Sequence, residues 1–329
     1  MKFIYYFPYL FLFCLISCEK SNKITEVNYL VSKTIDNFGD SIFLSQVSDL
    51  QTHKDKLYFR DDYLCQVISL YKDFSLNFIV GQKGEGSDDF ISLSTLNVTD
   101  SIISQLDGAR SRFLYYDLLG NIIGNYTIPS EENICALINR FVITPFRSYV
   151  GVLSQGESAF AEVDMKTHKY NSFGNRFSFD NTTQDRIRNI RHILKWNDQY
   201  VCVSDNIPII EIYDSKSKEK TGVYNYSHIS EVRSRLTFAE RQMDNKSNSY
   251  YQINGDAYIY NDKLYILLMH HLDNVGYSVN KILEIELSPT IKATNIFRLP
   301  ERGYSNFCVS GDSIYAFNIL KSQIELLVK

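Results

Sequence analysis

Six arginines are the residues most able to do chemistry together. Arg186, Arg188 and Arg191 lie in one polar stretch, and Arg233, Arg235 and Arg241 lie in another. A guanidinium offers planar, forked donors that match carboxylates and phosphates. Brought together, these side chains would form a site for carboxylates or anionic glycans. Turned outward, they would form a solvated rim balanced by Asp185, Glu231 and Glu240. The choice depends on the elements that carry the two stretches.

Other reactive residue types do not assemble. Gly81-Gln82-Lys83-Gly84-Glu85-Gly86 is glycine-rich, but no Lys-Ser/Thr pair and no helix pattern follow, so it is not a phosphate-binding loop. It reads instead as a turn between structural units, with Phe90 packing beneath it. His270-His271 with Asp273 hints at a metal. Neighbouring strand residues point to opposite faces, however, so the two imidazoles cannot easily reach one ion. The remaining histidines, His53, His168, His192 and His228, are scattered. There is no Gly-x-Ser-x-Gly elbow and no paired-carboxylate pattern. The sequence shows no catalytic constellation and implies no metal or cofactor. Enzymes with sparse central residues, lyases or hydrolases, remain the competing class.

Composition bounds the scaffold. The chain has 329 residues, is 44% hydrophobic and carries a net charge of −4, which does not suggest nucleic-acid binding. Tyrosine and phenylalanine are abundant and proline is scarce, a mix that favours strands. Phe3 to Leu15 is an apolar run of signal-peptide length, too short to span a bilayer comfortably. It ends in Leu15-Ile16-Ser17-Cys18, which resembles a bacterial lipobox whose cysteine is lipidated. The alternative is an ordinary signal peptide with a chance cysteine. On the lipobox reading, residues 1–18 are a leader, 19–23 a tether and 24–329 the folded domain. Cys18 is then the membrane anchor, and the address is the cell envelope, with the side of the outer membrane left open. Cys65, Cys135, Cys202 and Cys308 are far apart and read as buried free thiols.

A repeat organises the rest. Tyr258 to Leu268 reads as a hairpin around Asn261-Asp262, a pair that favours a tight turn. Equivalent second strands begin near Lys56, Ser101, Tyr149, Tyr200, Lys263 and Ser313. Their spacing, on the order of 45 to 63 residues, is near the period of propeller blades. Third strands follow, three of them ending in Asp117, Asp164 and Asp214. The expectation is an all-β, six-bladed propeller with four-stranded blades. The last copy lacks its fourth strand, and Ile24 to Leu30 is expected to supply it and close the ring.

Loop lengths add an asymmetry. Connections between blades, and the second-to-third connection His270 to Asn280, are long, and all of these leave from the same mouth. Long loops concentrate function. Within one of them, Ile229, Val232, Leu236, Ala239 and Met243 fall at helical spacing. That helix is read either as a cover for apolar blade ends or as a lid. The long-loop mouth is therefore the expected binding face, for a peptide, protein or glycan.

With the lipobox, the blade pattern and Gly81-x-x-Gly84-x-Gly86 before Phe90 in place, the chain resembles TolB-like six-bladed propeller lipoproteins of Bacteroidota type. It is also similar to NHL-type propellers. The resemblance implies a fold and an envelope address. It implies no activity, and no catalytic residue carries over from it.

Overall fold

Asn261 and Asp262 both adopt positive φ, +47° and +59°, as a two-residue turn between right-twisted strands requires. This hairpin joins Asn254–Tyr260 to Lys263–Leu272, and it is one unit of a repeated design. The computed structural model of the chain describes residues 24–38, 42–130, 135–137, 140–153, 155–179, 182–242, 251–272 and 276–329. The leader, Cys18 and the tether lie outside the described residues.

Six blade sheets follow in chain order, antiparallel except for one added strand in the fifth, and the chain is a six-bladed β-propeller. Blade 1 runs from Val47 to Val80, blade 2 from Leu93 to Thr127, blade 3 from Cys135 to Asn175 and blade 4 from Arg191 to Asn225. Blade 5 runs from Asn254 to Arg298, and blade 6 from Tyr304 to Val328. The apolar core is divided into six clusters, one in each seam between neighbouring blades. The sequence pattern explains this. Side chains alternate across each strand, so both faces of every blade press on a neighbour. Leu57 and Phe59 face one seam while Tyr58 faces the next, and all three are buried.

Ring closure differs in one respect from the sequence expectation. The fourth strand of blade 6 does come from the N-terminus, but it is Leu30–Ile35, antiparallel to Gln323–Val328. Ile24 to Leu30 was expected in that place. Its Thr25–Asn28 portion instead adds a fifth strand to blade 5, parallel to Lys292–Arg298. Tyr29 is the reason for the division. It is buried between the two strands, with its ring 5.2 Å from that of Phe297. One apolar residue thus pins the crossover, and the N-terminal segment covers two blade edges rather than one.

The region His270 to Asn280, read as a loop, is largely strand. Lys263–Leu272 and Gly276–Glu286 run past the blade as a projecting hairpin. Residues 273–275 lie outside the description. The loop containing Gly81 folds as expected. Gly81 has φ +83°, a Cβ there would meet the Phe90 ring, and Phe90 is fully buried. Arg110 and Arg112 donate to the loop carbonyls of Gly84, Gly86, Ser87 and Asp89, which makes it a structural clasp. Asp117, Asp164 and Asp214 close the turns after their strands. Each accepts backbone N–H bonds from residues two to four positions on, and hydrogen bonds to the carboxylates lower their pKa values. Cys65, Cys202 and Cys308 are buried free thiols, and burial raises the pKa of the last two. The side chain of Cys135 lies outside the description.

Candidate functional site

The long-loop mouth carries the two helices found among the described residues, Thr182–Ile187 (α1) and Ser230–Gln242 (α2). Helix α2 forms because its apolar residues recur every three or four positions. Ile229, just before it, Val232 and Ala239 are buried, and Leu236 packs beside them. Glu231 in the first turn and Arg241 in the last suit the helix dipole. Glu231 also pairs with Lys281 at 2.9 Å, tying α2 to the projecting hairpin of blade 5. Met243 lies outside the described residues.

The six arginines separate into distinct environments. Arg191 is buried between blades 3 and 4, against the rings of Phe177 and Phe160, with Glu211 at 3.8 Å. Arg188 lies over Phe179, 4.0 Å from the ring centroid. Burial lowers the pKa of both, and Glu211 opposes that shift at Arg191. Arg235 is buried, donates to the carbonyl of Gln252 and stands among Phe238, Tyr251 and Tyr277. Arg233 and Arg241 are exposed, two helical turns apart on one face of α2. They line one shallow depression with His228, Ser230, Thr237 and His271. The side chain of Arg186 lies outside the description.

Two depressions therefore flank α2. One has arginine, histidine and hydroxyl groups. The other, lined by Arg235, Phe238, Tyr251 and Tyr277, is aromatic. Phe238 contributes to both, and His271 stacks on it with ring centroids 4.1 Å apart. His270 points the other way and is buried. Its burial, and next the field of Lys281, push its pKa down to about 4, so it is neutral at pH 7. Among the described residues, no three His, Cys, Asp or Glu side chains are arranged to hold a metal ion.

The channel holds what sequence reasoning missed. The inner strand of blade 3 is interrupted between Cys135–Ala136 and Val142–Thr144. Arg140 sits in that break and reaches across to three other blades. Its Nε and Nη2 donate to Asp256 of blade 5 at 2.9 and 2.8 Å. Nη2 also donates to the carbonyls of Leu50 in blade 1 and Phe307 in blade 6, at 3.0 and 3.1 Å. Burial alone would lower the pKa of Arg140, but the charge and hydrogen bonds of Asp256 more than offset it. Arg140 is therefore held as a cation at the centre of the ring.

Asp256 is available because of a β-bulge. Register shifts fall between Asn254 and Asp256 in blade 5, between Tyr304 and Asn306 in blade 6, and between Ser48 and Gln51 in blade 1. Bulges re-aim side chains, and here they direct Asp256, Asn306 and Asp49 to neighbouring blades. These three and three further bonds put a polar stitch at every seam. Leu96 N donates to Asp49, and Asn97 donates to the carbonyl of Phe141. Ile193 N donates to the carbonyl of Arg140, and Ile253 N to that of Asp205. Phe307 N donates to Asp256, and Asn306 to the carbonyl of Val47. A charged residue next to a break in an otherwise apolar inner strand is the sequence signal that could have singled out Arg140.

Above Arg140 the channel opens as a funnel of ≈ 320 Å³ at the short-turn mouth. It is more enclosed than the depressions beside α2.

No family model matches the chain. No curated protein matches it either. Solved structures share the propeller fold. A Bacteroides vulgatus member of the DUF4221 family aligns with TM-score 0.60 and 11% identity, over 93% of this chain and 98% of its own. A Bacteroides fragilis protein described provisionally as exported aligns with TM-score 0.57 and 13% identity, over the same shares. A streptogramin B lyase aligns with TM-score 0.52 and 10% identity, over 91% of this chain and 97% of its own. At these identities the likeness is one of fold. Among the described residues, no helix is long and apolar enough to cross a membrane.

Proposed function

We propose that this chain is a cell-envelope lipoprotein of the TolB-like or NHL-like propeller type. On this reading it is a binding module that takes an extended acidic glycan across α2 at the long-loop mouth. One observation carries the ligand assignment. Exposed Arg233 and Arg241 flank α2 on one side, and the rings of Phe238, Tyr251 and Tyr277 flank it on the other. Arginines bind carboxylates, and aromatic faces pack against the apolar faces of sugar rings. Neither arginine has an ion-pair partner among the described residues.

Polygalacturonate is a suitable probe, with dextran as the neutral control and poly-L-glutamate as the acidic peptide control. Binding to polygalacturonate above both controls is expected. Arg233→Ala with Arg241→Ala should weaken it by about a hundredfold, the worth of two charge-assisted contacts. Unchanged affinity in the double variant refutes the assignment, and preference for poly-L-glutamate transfers the site to peptides.

The anchor rests on Leu15-Ile16-Ser17-Cys18. Two acyl chains suffice for stable membrane attachment. Cys18→Ala should move the protein from the membrane fraction to the soluble fraction. Retention in the membrane would remove lipidation from the proposal.

A further inference from the structure

We infer that the funnel at the short-turn mouth is a second binding site, and that it takes a small carboxylate. It lies at the opposite end of the channel from α2 and does not depend on the glycan reading.

Its position follows from its lining. Val98 and Thr99, Ile143 and Thr144, Leu194 and Lys195, and Ile259 lie toward the ends of their inner strands, where the short turns begin. Arg140 stands at the other end of the cavity, at the break in blade 3. Its bonds to blades 1, 5 and 6 put the guanidinium across the channel and close the floor. The volume, ≈ 320 Å³, falls at the small end of ligand pockets. It suits a sugar acid or a capped amino acid and is too small for a folded partner.

The charge of the lining selects the ligand. Among the described residues, the cavity wall has two cations, Arg140, whose charge Asp256 already balances, and Lys195, and no aspartate or glutamate. Gln51, Thr52, Asn97, Thr99 and Thr144 add neutral polar groups, and Tyr258 adds an aromatic wall. The carboxylates in the field of Lys195 are engaged elsewhere. Asp198 pairs with Lys216, Glu162 pairs with Lys218, and Asp214 accepts the turn amides. Lys195 itself is exposed, with its ammonium 4.9 Å from the Tyr200 ring centroid.

Arg140 supplies the independent observation. The residue is 5% exposed, and two of its three nitrogens are satisfied by Asp256 and backbone carbonyls. Nη1 is buried and has no hydrogen-bond partner among the described residues. A buried donor without an acceptor is a net cost to the fold. A purely structural lock would gain by satisfying it. A carboxylate oxygen at the floor would do so once the neighbouring side chains shift to uncover Nη1, with Lys195 at the rim holding the charge.

The test is isothermal titration calorimetry on the full chain. D-glucuronate and N-acetyl-L-alanine present the same carboxylate from a sugar and from a peptide source, and D-glucose is the neutral control. At least one carboxylate should bind, glucose should not, and the one that binds identifies the source. Lys195→Gln, at an exposed position, should weaken binding about tenfold, the worth of one charge-assisted contact. Thr144→Trp should fill the funnel and abolish binding. Arg233→Ala with Arg241→Ala should leave it unchanged, which separates this site from the α2 face. The inference fails if neither carboxylate binds at about 10 mM, a very weak limit. It fails equally if glucose binds as well, or if Thr144→Trp binds like the parent.

Discussion

Replacing Arg140 with methionine should destabilise the propeller by about 3–5 kcal/mol, because it leaves Asp256 as a buried charge without its counter-ion. Asp256 is 5% exposed and accepts four hydrogen bonds, from Nε and Nη2 of Arg140 and from the backbone N–H groups of Ala257 and Phe307. Two backbone donors cannot replace a guanidinium at a buried carboxylate. The methionine stem fills much of the space of the arginine stem, so the effect reports charge and hydrogen bonding more than lost volume. Asp256→Asn added to Arg140→Met should recover part of the loss, since a neutral amide is left where the stranded carboxylate was. The measurement is urea-induced unfolding of the parent, the single variant and the double variant. A single variant within about 1 kcal/mol of the parent would show that the centre of the ring is not held by this pair.

Deleting residues 24–35 should be comparably damaging, for a different reason. The segment supplies the outer strand of blade 6 and the parallel fifth strand of blade 5. Its loss bares the backbone of Gln323–Val328 along one edge, and exposed strand edges recruit other chains. The truncated protein should therefore unfold at lower temperature and elute as oligomers in size-exclusion chromatography. Tyr29→Ala isolates the packing contribution while both strands remain. Removing a buried aromatic ring should cost about 3–5 kcal/mol. A truncated chain that stays monomeric and melts like the parent would place ring closure elsewhere.

These two effects divide between what could be read from the chain and what could not. The segment that closes the ring was legible in kind, since six second strands and a last copy without its fourth strand imply a donor at the other terminus. Its register was not. Ile24 to Leu30 and Leu30 to Ile35 both carry strand-forming residues. The seam around Tyr29 and Phe297 decides where one strand stops and the next begins. The helix Ser230–Gln242 was legible because its apolar residues repeat at 3.6, a local property. The arginines were legible as candidates but not as a group. Two, Arg233 and Arg241, lie on one helix face, a third, Arg235, turns inward, and Arg191 serves the seam between blades 3 and 4.

By itself the sequence determined the repeat, the strand period, the turn chemistry at Asn261-Asp262 and the one-sided loops. All of these follow from neighbours along the chain. Only the tertiary structure decided the centre. Arg140 and Asp256 are 116 residues apart. A broken strand in blade 3 and a bulge in blade 5 are both needed to make them meet. No local pattern records such a meeting, because side-chain direction at a break or a bulge is set by the strands on either side. For the same reason the funnel above them could not be read from any one stretch. Its walls come from five blades, and its charge is settled by which carboxylates the ring has already engaged elsewhere.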